Sequence, residues 1–167
     1  MWSLVKERLK EYPAQLSVAR TILELGLRVG IDRRIYCGAI EMTPSKIAKA
    51  LAVDRRVVGR TVESILADPE LREIYTKLST AGPSFKNVAN RFGFGFIEIE
   101  ADPGTVGIVA AAASLIAEEG ISIRQVIADD PELYPHPKLT LVIGKEVPGR
   151  MIPKILRIEG VEKVSIS

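Results

Sequence analysis

An aspartate, a proline and two glycines fall together in the run IEADPGTVG, residues Ile99–Gly107. Asp102 supplies a carboxylate that can accept an ammonium. Gly104 and Gly107 carry no Cβ, so backbone N–H groups beside them stay open to a ligand. The apolar run that follows has helical spacing. A helix start presents unpaired N–H groups and a partial positive charge, suited to a carboxylate or phosphate. Three readings fit these residue types: an Asp-Pro-Gly turn with a helix cap, a phosphate cradle, or a pocket for a small metabolite. A second polar set brackets Ala52-Val53-Asp54, with Ser45 and Lys46 before it and Arg55, Arg56 and Arg60 after it. The planar arginine fork can hold a guanine edge or a phosphate by two hydrogen bonds, so this spacing suits nucleic acid. The same residues also fit a solvated helix face or a protein contact.

The remaining reactive residues offer less. The chain has one histidine, His136, set between two prolines, and one cysteine, Cys37, inside an apolar segment. A nucleophilic triad would have only this histidine as base, in an unpromising context. A structural zinc site takes four ligands, and Asp129-Asp130 lacks further ligands for a cation, so that pair is expected as a solvated turn. No catalysis, no metal and no cofactor are expected. The Gly93-Phe94-Gly95 triplet precedes a strand, whereas a dinucleotide fingerprint follows one.

The elements that must position these groups start with a helix over Gln15–Leu25, stopped by Gly26. Leu27–Met42 reads as short strands in a hairpin around Asp32-Arg33-Arg34. Thr43 and Pro44 open a short helix that buries Ile47, Ala48 and Leu51. After the tight turn, Asp54 caps a second helix from Arg55 to Ala67. Val58, Val62, Ile65 and Leu66 face its core side, while Arg56, Arg60 and Glu63 lie on another face. This is the shape of a helix-turn-helix, whose second helix meets base edges through its first turns. Gly59 within that helix costs about 1 kcal/mol relative to alanine, which close approach of DNA or a neighbouring helix would explain. The lack of interleaved aromatic residues argues against single-stranded nucleic acid. Asp68-Pro69 caps a further helix.

Ser79–Ser84 is a linker candidate, and Phe85–Phe92 reads as a short connecting helix capped by Ser84. Beyond it the order is strand Phe96–Glu100, helix Gly107–Glu119, strand Ile121–Ala128, a long connection, strand at Leu139–Ile143, helix after Pro148-Gly149, and strand Val161–Ile166. That is the β-α-β-β-α-β, ferredoxin-like arrangement. The first of these helices is expected to bury Ile108, Val109, Ala112, Leu115 and Ile116. Helices cover one sheet face, and Phe96, Ile121, Ile123, Val126 and Ile127 supply apolar residues to both. The second face therefore calls for self-association or another element docked on it.

The 167 residues fit one domain or two small ones. The formal charge of +2 is split: Met1–Arg91 holds 16 Lys and Arg against 10 Asp and Glu, and Phe92–Ser167 holds 7 against 11. Two modules with different partners are the natural reading. No apolar run is long enough to cross a membrane, and the charged first twelve residues do not resemble a signal peptide. With a single cysteine, a cytoplasmic location is the expectation.

ADPGTVGIVAAAASLIAEEGISI resembles the opening of an ACT domain, over about Phe96–Ser167. TPSKIAKALAVDRRVVGRTVESIL together with SIRQVIADDPEL makes the whole chain similar to an archaeal family of predicted regulators of amino-acid metabolism, a helix-turn-helix followed by an ACT domain. The resemblance implies an α+β chain with a helical module and small hairpin over 1–82, a linker with a short helix over 83–95, and a ferredoxin-like ACT domain over 96–167. It implies small-molecule sensing, most often of an amino acid, and pairing of ACT sheets side by side in a homodimer or higher homo-oligomer. The ligand positions that carry over are Asp102, Pro103, Gly104, Thr105, Val106 and Gly107 in the loop, with Ser122 and Arg124 on the second strand. Many such domains place Asp or Asn two residues before the proline, where this chain has Ala101, and Ser122 stands at the usual Asn. The expected function is a ligand-responsive regulator whose helix-turn-helix contacts double-stranded DNA through Ser45, Lys46, Arg55, Arg56 and Arg60. The alternative is a regulatory protein that docks on a biosynthetic enzyme.

Overall fold

The computed structural model describes residues 1–167, which divide into two compact units, Met1–Gly82 and Pro83–Ser167. The chain is α+β, with eight helices and two antiparallel sheets.

In the first unit, α1 (Trp2–Leu9) and α2 (Pro13–Glu24) precede a small sheet of β1 (Arg28–Val29), β2 (Ile35–Cys37) and β3 (Ile40–Met42). The expected hairpin is thus a three-stranded meander, with Val29 opposite Ile35 and Ile35 opposite Met42. Then come α3 (Pro44–Leu51), α4 (Arg55–Ala67) and α5 (Pro69–Lys77). The core holds Trp2, Val5 and Leu9 of α1, Val18 and Ile22 of α2, Val58, Val62 and Ile65 of α4, and Leu71 and Tyr75 of α5. Tyr75 is fully buried, and its hydroxyl donates to the Ala19 carbonyl at 3.0 Å. Burial raises its pKa strongly, so the phenol stays neutral and the contact remains a neutral hydrogen bond.

The helix starts follow local chemistry. The Asp54 carboxylate accepts from the Arg56 N–H at 2.7 Å, and the Asp68 carboxylate accepts from Glu70 and Leu71. Each satisfies first-turn donors that lack an intrahelical partner. Thr43 precedes α3 as expected but makes no side-chain cap bond.

In the second unit, β4 (Gly95–Ala101), α6 (Ile108–Glu118), β5 (Ile123–Ala128), β6 (Lys138–Ile143), α7 (Met151–Ile155) and β7 (Val161–Ile166) give the chain order β-α-β-β-α-β. The sheet order is β5-β6-β4-β7. Ile97 pairs with Leu141 and Ile166, and Ile99 pairs with Leu139 and Val164, so these side chains share one face. They form the core with Ala112 and Ile116 of α6 and Met151 and Ile155 of α7. Val109 departs from expectation: it is 45% exposed, because the stripe of α6 turns toward Ala112 and Ile116.

Alternation sends Phe96, Glu98 and Val142 to the opposite face. A 3-10 helix over Lys86–Phe92 packs on β4 and β6 there. Residues 83–95, expected as a linker, thus belong to the second unit, and their helix is the cover that the second face required. Ala89 of this helix and Val142 of β6 are fully buried. Glu98, only 8% exposed, takes an ion pair from Lys86 of this helix and another from Lys138 of β6 at 2.8 Å. Burial pushes the Glu98 carboxyl up, and the hydrogen bonds from Lys138 and Lys86 more than reverse it, leaving its pKa lowered. On the helix side, Glu119 at the end of α6 grips Arg150 at 2.6 Å and Lys154 at 2.9 Å beside and within α7.

Two outcomes test these clamps. Lys86→Met leaves Glu98 with Lys138 alone and is expected to destabilise the second unit by about 1–2 kcal/mol. Hydrogen exchange should show early loss of protection at the Phe94 amide, which donates to Ala89. The cations on Glu119 lower its pKa from an ordinary 4.5 to about 2. The stabilisation is complete above the ordinary value and is lost as pH falls toward the lowered one. Glu119→Gln should flatten the dependence of urea midpoint on pH across that window.

Candidate functional site

The first candidate is the α3–α4 pair. Val53 N–H donates to the Ala48 carbonyl at 3.0 Å, and Ala52 takes φ 53°, a left-handed turn that ends α3. Two residues later Asp54 starts α4. Val58, Val62 and Ile65 bury one side of α4, which leaves Arg55, Arg56 and Arg60 exposed on the others. Ser45 and Lys46, in the first turn of α3, are also exposed. Of the other arginines of this unit, only Arg72 on α5 is likewise exposed without an ion pair, and the rest behave differently. Arg8 pairs with Asp68 and Glu70, Arg20 with Glu24, Arg33 with Glu63, and Arg34 with Glu41, while Arg28 lies over the Tyr36 ring. Arg55, Arg56 and Arg60 have no ion pair within the chain. A Cβ at Gly59 would meet nothing within 4 Å. No neighbouring helix therefore explains that glycine, and it leaves a bare stretch of backbone between the arginines.

The second candidate is the corner after β4. Asp102 N–H donates to the Gly160 carbonyl at 2.9 Å, which ties the corner to the start of β7. The Asp102 carboxylate accepts from Gly104 N–H at 3.0 Å, and Thr105 N–H donates to the Asp102 carbonyl at 3.0 Å. One carboxylate oxygen is thus engaged in an Asx turn, and the residue remains exposed. Val106 is 95% exposed. Gly107 caps α6 at φ 94°, with no side-chain cap and no acidic residue in the first turn. Free N–H groups at that helix start remain available to an anion.

A cleft of about 170 Å³ opens here. Asp102, Pro103, Thr105, Ile108 and Val109 form one wall, and Ala128, Asp129, Pro131 and Lys138 help form the other. Its volume lies below the roughly 300–1,000 Å³ of pockets for drug-sized ligands, which fits a small metabolite. Asp129 accepts from Lys138 N–H at 3.1 Å and donates its own N–H to the Lys138 carbonyl, closing the base of the long connection. Asp130 caps the next turn by accepting from Glu132 and Leu133. No three His, Cys, Asp or Glu residues converge to hold a metal ion.

Ser122 and Arg124 do not join this cleft within the chain. β4 and β5 both pair antiparallel to β6, so they run the same way. Ala128, at the far end of β5, therefore meets the corner, while Ser122 lies beyond the opposite end. Its hydroxyl sits 2.6 Å from where a Cβ on Gly144 would stand, and its carbonyl accepts from Gly144 N–H. Strand direction was the signal that would have selected Asp129 and Lys138 instead.

No protein-family model and no curated protein matches the chain. A solved structure described as "Crystal structure of PH0061" aligns at 16% identity over 89% of this chain and 88% of its own, with a TM-score of 0.28. A likeness of that size carries no statement about fold or function.

The two glycines at the corner should respond differently to alanine. Gly107 has open space around it, so Gly107→Ala meets backbone strain alone and should cost about 1–2 kcal/mol. Gly160 has φ 79°, and its added Cβ would stand 2.7 Å from Thr105 Cβ. Gly160→Ala should therefore cost about 3 kcal/mol or more and push Thr105 out of the cleft wall, as read by chemical denaturation and the Thr105 methyl resonance.

Proposed function

We propose that the chain is a ligand-responsive regulator of amino-acid metabolism. In this reading α3, its turn and α4 form a helix-turn-helix that binds double-stranded DNA. The second unit is an ACT-type module that pairs in a homodimer and takes a small amino acid or related metabolite at the corner cleft. The observation that carries the reading is the contrast among arginines. Four arginines of the first unit are held by carboxylates and Arg72 stands unpaired by itself on α5, whereas α4 gathers three unpaired arginines beside the bare backbone at Gly59. Unpaired guanidinium groups in the first turns of a second helix suit phosphate and guanine contacts. The backbone at Gly59 would admit a phosphate that a side chain would hold away.

The cleft supports the sensing half. An amino acid has an ammonium for the free oxygen of Asp102 and a carboxylate for the start of α6. Coupling between the halves requires that the ligand bind two pairings of the second unit with different affinity, so that the spacing of the two DNA-binding units changes.

DNA binding measured against salt tests the first half. Arg56→Ala with Arg60→Ala should weaken binding on all sequences and reduce the slope of log K against log salt by about 2. An unchanged slope and affinity would overturn the DNA reading. Thermal stability measured across the twenty amino acids tests the second. A ligand that binds only the native state raises apparent stability, and Asp102→Ala should abolish the rise. A flat response across the panel would overturn the sensing reading.

A further inference from the structure

All four phenylalanines of the chain, Phe85, Phe92, Phe94 and Phe96, fall in one short stretch at the start of the second unit. Phe96 sits under Lys86 of the 3-10 helix. The other three, with Ile123 and Arg124, line a cleft of about 410 Å³. Phe92 is 65% exposed and Phe85 37%, so apolar surface stands open to water. The rings of Phe92 and Phe94 lie 5.9 Å apart, tilted by 31°. The Arg124 guanidinium lies 4.8 Å from the centre of the Phe94 ring. Arg124 has no ion pair, as is true also of Arg91, Lys145 and Arg157, whereas Lys86, Lys138, Arg150, Lys154 and Lys163 of the same unit are paired; of the unpaired four, Arg124 alone lines the aromatic cleft.

The walls are held in place. Gln125 of β5 accepts from Phe85 N–H at 2.9 Å and donates to the Pro83 carbonyl at 2.7 Å. Phe94 N–H donates to the Ala89 carbonyl at 3.0 Å, and the Asn90 amide donates to the Ser167 hydroxyl at 2.8 Å. Loop ordering would thus cost little on binding.

We infer that this cleft is a second ligand site, for a small organic acid with an aromatic or branched apolar group. The apolar group lies among the Phe85, Phe92 and Phe94 rings, and the carboxylate pairs with Arg124. A guanidinium stacked on a ring keeps its N–H edge free, and that edge matches a carboxylate by two parallel hydrogen bonds. A single-stranded nucleic acid would also use stacking platforms, but it needs a basic groove. Residues 83–167 hold 11 Asp and Glu against 9 Lys and Arg, which favours the small acid. The cleft flanks the start of β4 and the Asp102 corner follows its end, so the two lie about 20 Å apart along seven residues of strand. The inference stands independently of DNA binding and of the corner as a sensor.

The test uses the full chain, calorimetric titration and amide NMR. Three probes serve: 3-phenylpropionate, its neutral counterpart 3-phenylpropan-1-ol, and propionate. The expected result is binding of 3-phenylpropionate that shifts the amides of residues 92–95 and 124, with both other probes weaker. Arg124→Gln should weaken the acid about tenfold, close to the loss of one charged hydrogen-bonded contact, while leaving the alcohol unaffected. Phe92→Ala should weaken both aromatic probes. Each variant loses one contact with Phe94 at an open surface, so the melting temperature should fall only slightly, and Asp102→Ala should leave affinity for the acid unchanged. Four results would overturn the site: no shift at millimolar probe, affinity indifferent to Arg124→Gln, shifts confined to residues 102–107, or concentration-dependent self-association that Phe92→Ala removes while no acid binds.

Discussion

A four-stranded sheet with apolar residues on both faces needs two covers, and α6 with α7 supplies one. The second unit depends on how the other is supplied. Glu98 lies on the central strand β4, facing away from the helices, where a lone carboxylate would carry a large desolvation cost. It is tolerated because Lys138 reaches it from the neighbouring strand and Lys86 reaches it from the segment laid across that face. The same contacts fix the path of residues 83–95, and that path sets where the phenylalanines emerge. One buried carboxylate thus links sheet pairing, the cover of the second face and the aromatic cleft.

In the first unit the organising principle is satisfaction, and its exceptions mark the surface of interest. Asp54 and Asp68 close helix starts, Tyr75 finds a carbonyl in the core, and Arg8, Arg20, Arg33 and Arg34 find carboxylates. Where local demands are met almost everywhere, a helix face with three unpaired guanidinium groups stands apart. Surface pairs contribute little stability, so the lack of partners on α4 costs the fold almost nothing. It leaves those charges available to something outside the chain.

Much of the architecture was legible in the residues. Caps at Asp54 and Asp68, proline at first helical positions and the apolar set Leu139, Leu141 and Ile143 at every second residue located α4, α5 and β6 closely. What escaped has physical reasons. α1 buries Trp2, Val5 and Leu9 at helical spacing, but the stripe is only three residues wide and is interrupted by Lys6, Glu7 and Arg8. Val109 fits the stripe of α6 by sequence, yet the helix buries Ala112 and Ile116 and leaves Val109 at the mouth of the corner cleft. The short helix after Ser84 was legible, and the Ser84 hydroxyl accepts from Lys86 N–H at 3.4 Å; its place on the sheet was not, because the cover depends on long-range packing. The corner was legible as a turn with open N–H groups. Its opposing wall was not, because Ser122 and Asp129 are separated by strand direction rather than by residue type.

Trp2 is the chain's single tryptophan, and it is buried at 3% exposure in the core of the first unit between Lys6 and Arg20. The phenylalanines all belong to the second unit. Each half therefore carries its own optical label. Indole fluorescence reports the melting of the helical half alone, and the fine structure of phenylalanine in near-ultraviolet circular dichroism reports the sheet half. Whether the halves unfold as one cooperative body or in sequence can be read from the unlabelled natural chain.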